Sequence, residues 1–247
     1  KSAIIVDIDK DWKTSVLFDL NSKDVMPIAS LSKLMTALVV LELKETYHST
    51  DQILITQNAI IQEGYSKYGN LIAGEKITVE NLLNKMLIES SNDSAYALAE
   101  YIGEKPFVDL MNIYAKKLNL NSTSFVNSTG LDTASETSNI STVYDLANLA
   151  QIILQKYPQI FEITKKQSYE FLKPDGSLHH FIAQSTNELL SEYPQVVGGK
   201  TGQTELANGC LLEVVEKPDG AGYFINVILG ANDRFAEMRK IIDAEIK

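Results

Sequence analysis

The chain has 247 residues, 45% of them hydrophobic, with a formal net charge of -10 and a pI of about 4.8. This length suffices for one large core, and an acidic chain lacks the basic face that nucleic-acid binding requires. The single cysteine, Cys210, excludes an internal disulfide and is typical of a small core residue in a strand. No apolar run reaches the roughly 18 residues that a membrane span needs.

The three histidines show no metal-binding spacing. His179 and His180 are adjacent, His48 is distant, and no HExxH pattern occurs. The sequence therefore predicts no histidine-built zinc site.

The first elements are a hairpin and a helix. Residues 2–8 and 14–20 are rich in β-branched residues and flank the polar stretch DKDWK, which predicts a β-hairpin. A helix follows from about Ser30 to Leu43, and the middle of the chain is mostly helical. Thr78 is a plausible N-cap of the first of these helices, 78–90. The further predicted helices are 78–90, 92–103, 106–120 and 141–154.

The second half of the chain contains a polar loop and returning strands. Loop 125–140 is long for a compact domain, and such loops often carry function. Turn sequences separate three later β-rich runs, and an amphipathic helix that would pack on the sheet closes the chain. These elements are strands 195–202, 208–216 and 222–231 and helix 234–246.

The order of elements predicts an α+β architecture. We expect the N-terminal hairpin and the late strands to share one antiparallel sheet of about five strands, flanked by helices. The sheet part would be about 1–45 and 190–247, with an inserted, mostly helical subdomain at about 46–189 that covers one edge of the sheet.

Ser30 and Lys33 stand in the apolar segment PIASLSKLMTALVVLEL and share one helix face because they are three residues apart. A serine hydroxyl is a poor nucleophile until a base takes its proton. Burial disfavours the charged form of a lysine, so a desolvated Lys33 could be that base. The alternative is a lysine whose head group reaches water. This is the only Ser-x-x-Lys in the chain.

A second cation is offered by the segment GGKTGQT, in which Lys200 and Thr201 are followed by Gly202. Glycines on a strand indicate that another group approaches its backbone closely. An edge strand can pair with an extended peptide, and Lys200 and Thr201 would then face an anionic peptide end. The alternative is an exposed lysine beside a turn.

Ser90 and Asn92 lie at the junction of two predicted helices, in the segment ESSNDSAY. A serine there can relay a proton, and an asparagine can donate to and accept from a peptide group. Simple helix capping would explain them equally well. The same Ser-x-Asn spacing recurs at 185–187, but without a helix junction, so we prefer Ser90 and Asn92.

Ser-x-x-Lys, Ser-x-Asn and Lys-Thr-Gly in this order resemble the motif set of penicillin-binding proteins and serine β-lactamases. More closely, the chain resembles the low-molecular-mass D-alanyl-D-alanine carboxypeptidases over nearly its whole length. The segments that carry this resemblance are PIASLSKLMTA, FVNSTGL, ISTVYDLANLA, TNELL, GGKTGQTELANGC and VILGANDR.

The resemblance implies a role for each motif residue. Ser30 would attack the carbonyl of the D-Ala-D-Ala bond, with Lys33 as its general base. Ser90 would help to pass the proton to the leaving amine, Lys200 would supply positive potential, and Asn92 would hold the substrate amide. The resemblance implies one transpeptidase-like domain over 1–247 and no metal or organic cofactor.

The resemblance also implies how substrate binds. The backbone N–H groups of Ser30 and Gln203 would form an oxyanion hole, the largest contribution expected in acyl transfer. Thr201 and Arg234 would receive the terminal carboxylate. The strand residues implied to line the substrate site are Thr201, Gly202, Gln203 and Thr204.

The implied substrate is a peptidoglycan stem peptide ending in D-Ala-D-Ala, with β-lactam antibiotics as inhibitors. The implied location is the bacterial cell envelope, outside the cytoplasm. The chain opens in a strand, which is typical of a mature or trimmed sequence, so the lack of a signal peptide does not favour the cytoplasm. A membrane anchor is possible outside this chain, because many relatives continue into a β-rich domain and a membrane-binding tail.

Two departures from the family pattern concern the site. Gln203 stands where relatives often have a histidine, which puts substrate preference in question but spares the backbone N–H that the oxyanion needs. Loop 125–140 lacks the histidine that relatives often carry before the next helix.

Two alternative functions remain open. A class A β-lactamase would need a Glu-x-x-Leu-Asn loop, and Glu136 is the nearest candidate although its leucine is missing. A non-catalytic peptidoglycan- or β-lactam-binding protein on the same fold is the other, because a fold does not guarantee a function.

Overall fold

The structure is a computed structural model that describes residues 1–62, 70–135, 137–173 and 175–246. The strands are β1 (Ser2–Asp9), β2 (Thr14–Leu20), β3 (Met26–Pro27), β4 (Gln52–Leu54), β5 (Lys76–Thr78), β6 (Ile140–Ser141), β7 (Ser168–Leu172), β8 (Leu178–Gln184), β9 (Val196–Thr204), β10 (Asn208–Glu216) and β11 (Gly222–Ala231). The α-helices are α1 (Lys33–Glu42), α2 (Gln57–Ile60), α3 (Val79–Ile88), α4 (Asn92–Glu100), α5 (Glu104–Lys117), α6 (Val143–Lys156), α7 (Gln159–Thr164) and α8 (Arg234–Glu245). Short 3-10 turns span Ala29–Ser32 and Glu188–Ser191.

The two ends of the chain form one antiparallel sheet with the strand order β2-β1-β11-β10-β9. The register pairs Ile4 with Val227 and Leu212 with Lys200. This confirms the predicted hairpin, the three late strands and the five-stranded α+β fold. It also places β9, the strand of the Lys-Thr-Gly segment, at an edge of the sheet.

The core lies on both faces of the sheet, because successive side chains of a strand point to opposite sides. Leu212 and Val214 of β10 pack in the larger cluster with α1 and α3. Leu211 and Val215 pack on the other face against α8, as the amphipathic pattern predicts.

The helices begin at polar caps. Thr78 Oγ1 accepts a hydrogen bond from the backbone N–H of Asn81, which confirms the predicted N-cap of α3. Ser91, Thr142 and Asp233 cap α4, α6 and α8 in the same way. These side chains satisfy N–H groups that a helix leaves unpaired at its start.

The predicted start of the first helix is wrong by one turn. Residues Ala29–Ser32 form a 3-10 turn, and α1 begins only at Lys33. Ala29, the first residue of this turn, has a φ of 48°, in the left-handed region that residues with a side chain rarely adopt. Ser32 Oγ closes the turn by donating to the Ala29 carbonyl at 2.7 Å.

The hairpin of β7 and β8 is not predicted by the sequence pattern. Most of its side chains face solvent, and Phe171, Phe181 and Ala183 are its buried positions. Apolar residues such as Leu178 and Ile182 also occupy exposed positions of β8, so the sequence shows little of the apolar–polar alternation that identifies strands. The short pairs β4–β5 and β3–β6 and helix α7 are likewise not predicted.

A buried carboxyl group lies behind the edge strand. Glu213 of β10 is fully buried beside Gly199, at which a Cβ would come within 2.2 Å of Glu213 Oε2. Neither carboxyl oxygen has a hydrogen-bond partner of good geometry among the described residues. Burial raises the pKa of Glu213 well above its ordinary value, and the Asn187 amide and the charge of Lys200 oppose this shift.

We predict that Glu213→Gln stabilises the protein at high pH. The native state holds the Glu213 proton more tightly than the unfolded chain, so stability falls as the pH rises above the unfolded-state pKa. Each pH unit in that window lowers the free energy of unfolding by about 1.4 kcal/mol. For a chain of this size, a loss of 1 kcal/mol lowers the Tm by roughly 2–4 °C. The Tm of Glu213→Gln should exceed that of the wild type at pH 8, and the gap should narrow toward pH 5.

Glu216→Gln is the matched control, because Glu216 lies exposed at the end of the same strand. A difference in Tm between wild type and Glu213→Gln that does not change with pH would contradict the raised pKa of Glu213.

Candidate active site

The side chain of Lys33 meets three chain segments at one point. Its Nζ lies 2.9 Å from Ser30 Oγ, 2.7 Å from Asn92 Oδ1 and 2.6 Å from the carbonyl oxygen of Thr129. Lys33 is fully buried, so its head group does not reach water. The structure thus favours the desolvated amine over the lysine that extends to solvent.

The segment around Ser30 presents its hydroxyl at the edge of this buried region. Ser30 is half-buried, whereas every residue from 31 to 40 is buried. The left-handed Ala29 turns the chain just before Ser30, and α1 anchors Lys33 just after it. The Ser-x-x-Lys spacing therefore brings hydroxyl and amine together although the serine precedes the α-helix.

A second lysine and serine lie together at the junction of α3 and α4. Lys200 Nζ of β9 lies 2.9 Å from Ser90 Oγ and 2.9 Å from the Thr201 carbonyl oxygen. Ser90 adopts a φ of 67°, which directs the chain out of α3 before α4 begins. Ser90 and Asn92 thus lie at this junction as predicted, and each contacts one of the two site lysines.

The two lysines influence each other electrostatically. Burial lowers the pKa of Lys200 well below its ordinary value, and repulsion by Lys33 and Arg234 lowers it further. Glu213, behind the strand, opposes this shift. Like charges in a desolvated site disfavour double protonation, so an anion that enters the site relieves this repulsion.

The buried pair of Lys85 and Glu89 holds the end of α3 just before Ser90. Lys85 Nζ lies 2.6 Å from Glu89 Oε1 and 4.2 Å from the centre of the Phe181 ring. A salt bridge and a cation–π contact thus position the helix end that carries Ser90.

Two glycines let neighbouring segments close on the Ser30 backbone. A Cβ at Gly202 of β9 would lie 3.1 Å from Ser30 N. A Cβ at Gly130 would lie 2.1 Å from the Ala29 carbonyl oxygen and 2.9 Å from Ser30 N, and Gly130 has a φ of 86°. The edge strand and the polar loop therefore approach the Ser30 backbone from different directions.

The polar loop 125–140 is organised by its own side chains. Asn127 Oδ1 accepts from the N–H of Gly130 at 2.7 Å and from that of Thr129 at 3.2 Å. Asn139 Oδ1 accepts from Val126 N at 2.7 Å, and its Nδ2 donates to Ser32 Oγ at 2.9 Å. These bonds hold the Thr129 carbonyl against Lys33.

The remaining predicted residues line the edge strand. Arg234 at the start of α8 donates from Nη1 to Gln203 Oε1, and the Gln203 side chain is exposed. The Thr201 and Thr186 hydroxyls are hydrogen-bonded to each other. Thr204 Oγ1 donates to Asp132 Oδ1 at 3.0 Å, so it joins the strand to the polar loop.

Sequence reasoning missed several residues of the site. The sequence does not predict the contacts of Thr129, Gly130, Asn139 and Thr186, although the segments FVNSTGL and TNELL carry the family resemblance. A backbone carbonyl has no residue-type signal, and Thr186 belongs to the second Ser-x-Asn at 185–187, which lacks the helix junction. Glu136, on which the β-lactamase alternative depends, lies outside the described residues.

This fold and this pairing of lysines with serines define a class of protein. A five-stranded antiparallel sheet flanked by helices, with the Lys-Thr-Gly strand at its edge, is the architecture of the penicillin-binding proteins and serine β-lactamases. Within this class the chain belongs to the D-alanyl-D-alanine carboxypeptidase family, whose sequence profile matches residues 1–233.

Individual relatives agree with this assignment. The chain is 35% identical over 250 residues to the D-alanyl-D-alanine carboxypeptidase DacF of Bacillus subtilis, covering 98% of this chain and 61% of the relative. Two further curated carboxypeptidases, DacD and DacC of Escherichia coli, are covered to 55% and 57% of their length. The chain thus spans little more than half of these curated relatives.

Solved structures agree as well. A peptidoglycan synthesis regulatory factor from Streptococcus pneumoniae has a TM-score of 0.86 at 28% identity, with 99% of this chain and 75% of that chain covered. A penicillin-binding protein from Listeria monocytogenes in its cefotaxime-bound form has a TM-score of 0.80 at 29% identity, with 100% and 96% covered.

Among the residues that the structure describes, no helix is both long and apolar enough to pass through a bilayer.

We predict that Gly130→Ala disrupts the site more than the fold. The added methyl would collide with the Ala29 backbone and displace the loop or Ser30, and a displacement of about 1 Å can cost on the order of a hundredfold in rate. The second-order rate of labelling by a fluorescent penicillin measures the effect, with a thermal melt alongside.

Gly220→Ala is the control, because Gly220 has a similar φ of 68° but no atom within 4 Å of the added Cβ. Both variants carry the backbone strain of a left-handed alanine, and only Gly130→Ala has the collision. Equal losses of labelling in the two variants would refute the proposed close packing.

Proposed function

We propose that this chain is the catalytic domain of a serine-type D-alanyl-D-alanine carboxypeptidase, spanning 1–247, that is acylated and inhibited by penicillin. It would remove the terminal D-alanine from peptidoglycan stem peptides outside the cytoplasm, in the bacterial cell envelope. The observation that carries the proposal is the 2.9 Å distance between Ser30 Oγ and a fully buried Lys33 Nζ. Family membership supports the substrate class.

The proposed mechanism requires Lys33 to act as a neutral amine. A neutral amine has two N–H donors and one lone pair. Asn92 Oδ1 and the Thr129 carbonyl accept the two N–H groups, and the lone pair then faces the Ser30 hydroxyl. In this state Lys33 takes the Ser30 proton as Ser30 Oγ bonds to the substrate carbonyl carbon.

The developing oxyanion would be stabilised by backbone N–H groups. Ser30 N and Gln203 N are the proposed donors, and donors fixed in advance contribute most to acyl transfer. The close approach of Gly202 to Ser30 N supports this pairing, because it draws the edge strand toward the nucleophile.

Ser90 would relay to the leaving amine the proton that Lys33 has taken from Ser30, so Lys33 is neutral again when D-alanine departs. Ser90 lies within hydrogen-bond distance of Lys200, which supplies positive potential near the departing D-alanine. The free-enzyme pKa of Lys200 is lowered, and a substrate carboxylate nearby would favour its protonated form. Substrate binding and proton uptake by Lys200 would thus be coupled.

The substrate would lie along β9 as an added strand, since β9 is an edge strand of the sheet. Asn92 would hold the substrate amide, and Thr201 and Arg234 would receive the terminal carboxylate. Gly202, Gln203 and Thr204 would line the same edge. Water then hydrolyses the acyl-enzyme, and the penicilloyl adduct would be released slowly.

We predict that benzylpenicillin adds one acyl group to Ser30. Intact-mass measurement followed by peptide mapping should locate the adduct on the peptide that contains Ser30, and Ser30→Ala should abolish it. Release of D-alanine from a stem pentapeptide should disappear in the same variant.

Ser15→Ala is a suitable control and should label as the wild type does, since Ser15 is an exposed serine of β2. A label that persists in Ser30→Ala would overturn the assignment of the nucleophile. Labelling without release of D-alanine would favour a non-catalytic binding protein, and rapid repeated turnover of penicillin would favour a β-lactamase.

We predict that Lys33→Arg and Lys33→Ala each slow acylation by about a hundredfold or more, the usual scale for a positioned base. A guanidinium keeps the positive charge but stays protonated, so it cannot accept the serine proton. The measurement is the second-order rate of labelling by a fluorescent penicillin.

Lys44→Arg, at the exposed end of the same segment, should label at the wild-type rate. Thermal melts show whether each variant is folded. Near-normal acylation by a folded Lys33→Arg would exclude a base function for Lys33.

A further inference from the structure

A cluster of possible metal ligands lies on the β7–β8 hairpin, apart from the serine–lysine site. His179 and His180 of β8 meet Glu75, which precedes β5. One ligand atom from each of these three residues lies within 4.8 Å of the other two. The proposed reaction uses none of these residues.

The His180 ring is oriented by a backbone group. Its Nε2 lies 3.0 Å from the Asn70 carbonyl oxygen, and its Nδ1 lies 3.9 Å from Glu75 Oε2. A carbonyl only accepts, so Nε2 carries the proton in this contact and Nδ1 presents its lone pair toward Glu75. Metal-binding histidines are typically held by such a bond from the other ring nitrogen.

The Glu75 carboxylate is oriented in the same manner. Its Oε1 accepts from the backbone N–H of Ile72 at 2.6 Å, and Oε2 faces His180. One oxygen is thus used for positioning and the other points to the cluster, as in sites whose ligands are supported by outer hydrogen bonds.

His179 supplies an imidazole with an unused nitrogen. Its Nδ1 is buried and has no hydrogen-bond partner among the described residues. The ring is held by stacking on Phe181, with ring centres 4.9 Å apart and planes inclined by 21°. Burying a polar atom without a hydrogen-bond partner is energetically unfavourable. A metal ion bound by the imidazole of His179 is one explanation for such an atom.

Adjacent histidines on a strand would be expected to point to opposite faces, and no familiar spacing joins them, so the sequence predicts no zinc site. The structure differs because the ring centres of His179 and His180 are only 6.3 Å apart and Glu75 comes from another element. The third group is more than a hundred residues away in sequence, so only the fold reveals the cluster.

We propose that Glu75, His179 and His180 bind one divalent transition-metal ion of the Zn²⁺ type, with water in the remaining position. Two imidazoles and one carboxylate suit Zn²⁺ and its neighbours rather than Mg²⁺ or Ca²⁺. Bonds of about 2.0 Å in a tetrahedral site place ligand atoms about 3.3 Å apart. The 3.9 Å between Glu75 and His180 therefore has to shorten only slightly.

The ion would tie two elements together. His179 and His180 belong to the hairpin, and Glu75 belongs to the connection that leads through β5 into α3. Lys76 and Lys173 line the same cavity and Asp175 offsets only part of their charge, so we expect moderate affinity. The metal would stabilise this part of the fold and would not take part in acylation.

The test is a titration of the metal-free protein, treated with EDTA and then desalted, with ZnCl₂ by calorimetry. One equivalent should bind and raise the Tm, because a ligand that binds only the native state stabilises it. CoCl₂ should give the visible absorption of a four-coordinate site. The variants Glu75→Gln, His179→Ala and His180→Ala should each weaken Zn²⁺ binding at least tenfold.

His48→Ala is the matched control, since His48 is the remaining histidine and contacts a single carboxylate, that of Asp51, at 3.0 Å. It should bind Zn²⁺ as the wild type does. Failure of the wild type to bind one equivalent, or unchanged binding in the three ligand variants, would overturn the proposal. Penicillin labelling of Glu75→Gln and His180→Ala should be normal, so this test is independent of the proposed function.

Discussion

The placement of one buried amine constrains the rest of the site. Lys33 Nζ has lost its water and has partners from its own turn, from the start of α4 and from the polar loop. An amine buried without partners is strongly unfavourable, so these three segments depend on one another for their positions. The apolar helix α1 holds the amine out of water, and the Ser30 hydroxyl lies 2.9 Å from it.

The site also contains local strain. Ala29 and Ser90 have φ values of 48° and 67°, which are uncommon for residues with a side chain. Such conformations cost on the order of 1–3 kcal/mol each and persist only where the surroundings impose them. Here Ser32 closes the turn that holds Ala29, and Lys200 contacts Ser90. Both strained residues therefore lie at the groups that would react.

Three fully or almost fully buried lysines are accommodated in different ways. Lys85 has a carboxylate and aromatic rings, as expected for a structural charge. Lys200 contacts only a hydroxyl and a carbonyl in the described structure, and its pKa is lowered. Lys33 also contacts uncharged oxygens. A carboxylate partner favours the charged form of a lysine, which suits the structural charge of Lys85.

The extended sheet that carries these groups has its own unfavourable feature. Glu213 is buried behind the edge strand without a hydrogen bond of good geometry to any residue that the structure describes, and its charge raises the pKa of Lys200. Its proton affinity and that of Lys200 are therefore linked. Glu213 therefore affects both the stability of the fold and the protonation of Lys200.

The sequence by itself determined the fold class and the sheet from the two chain ends, and it singled out Ser30, Lys33, Ser90, Asn92 and Lys200 as candidate site residues. It could do so because strand alternation, helix caps and short motifs are local signals that need no partner. The contacts of Thr129, Gly130 and Thr186, the 3-10 turn before α1 and the cluster of Glu75 with two histidines were decided only by the tertiary structure. The function of a backbone carbonyl, a glycine or a carboxylate distant in the chain depends on its neighbours in space, and these are set by the fold and not by the local sequence.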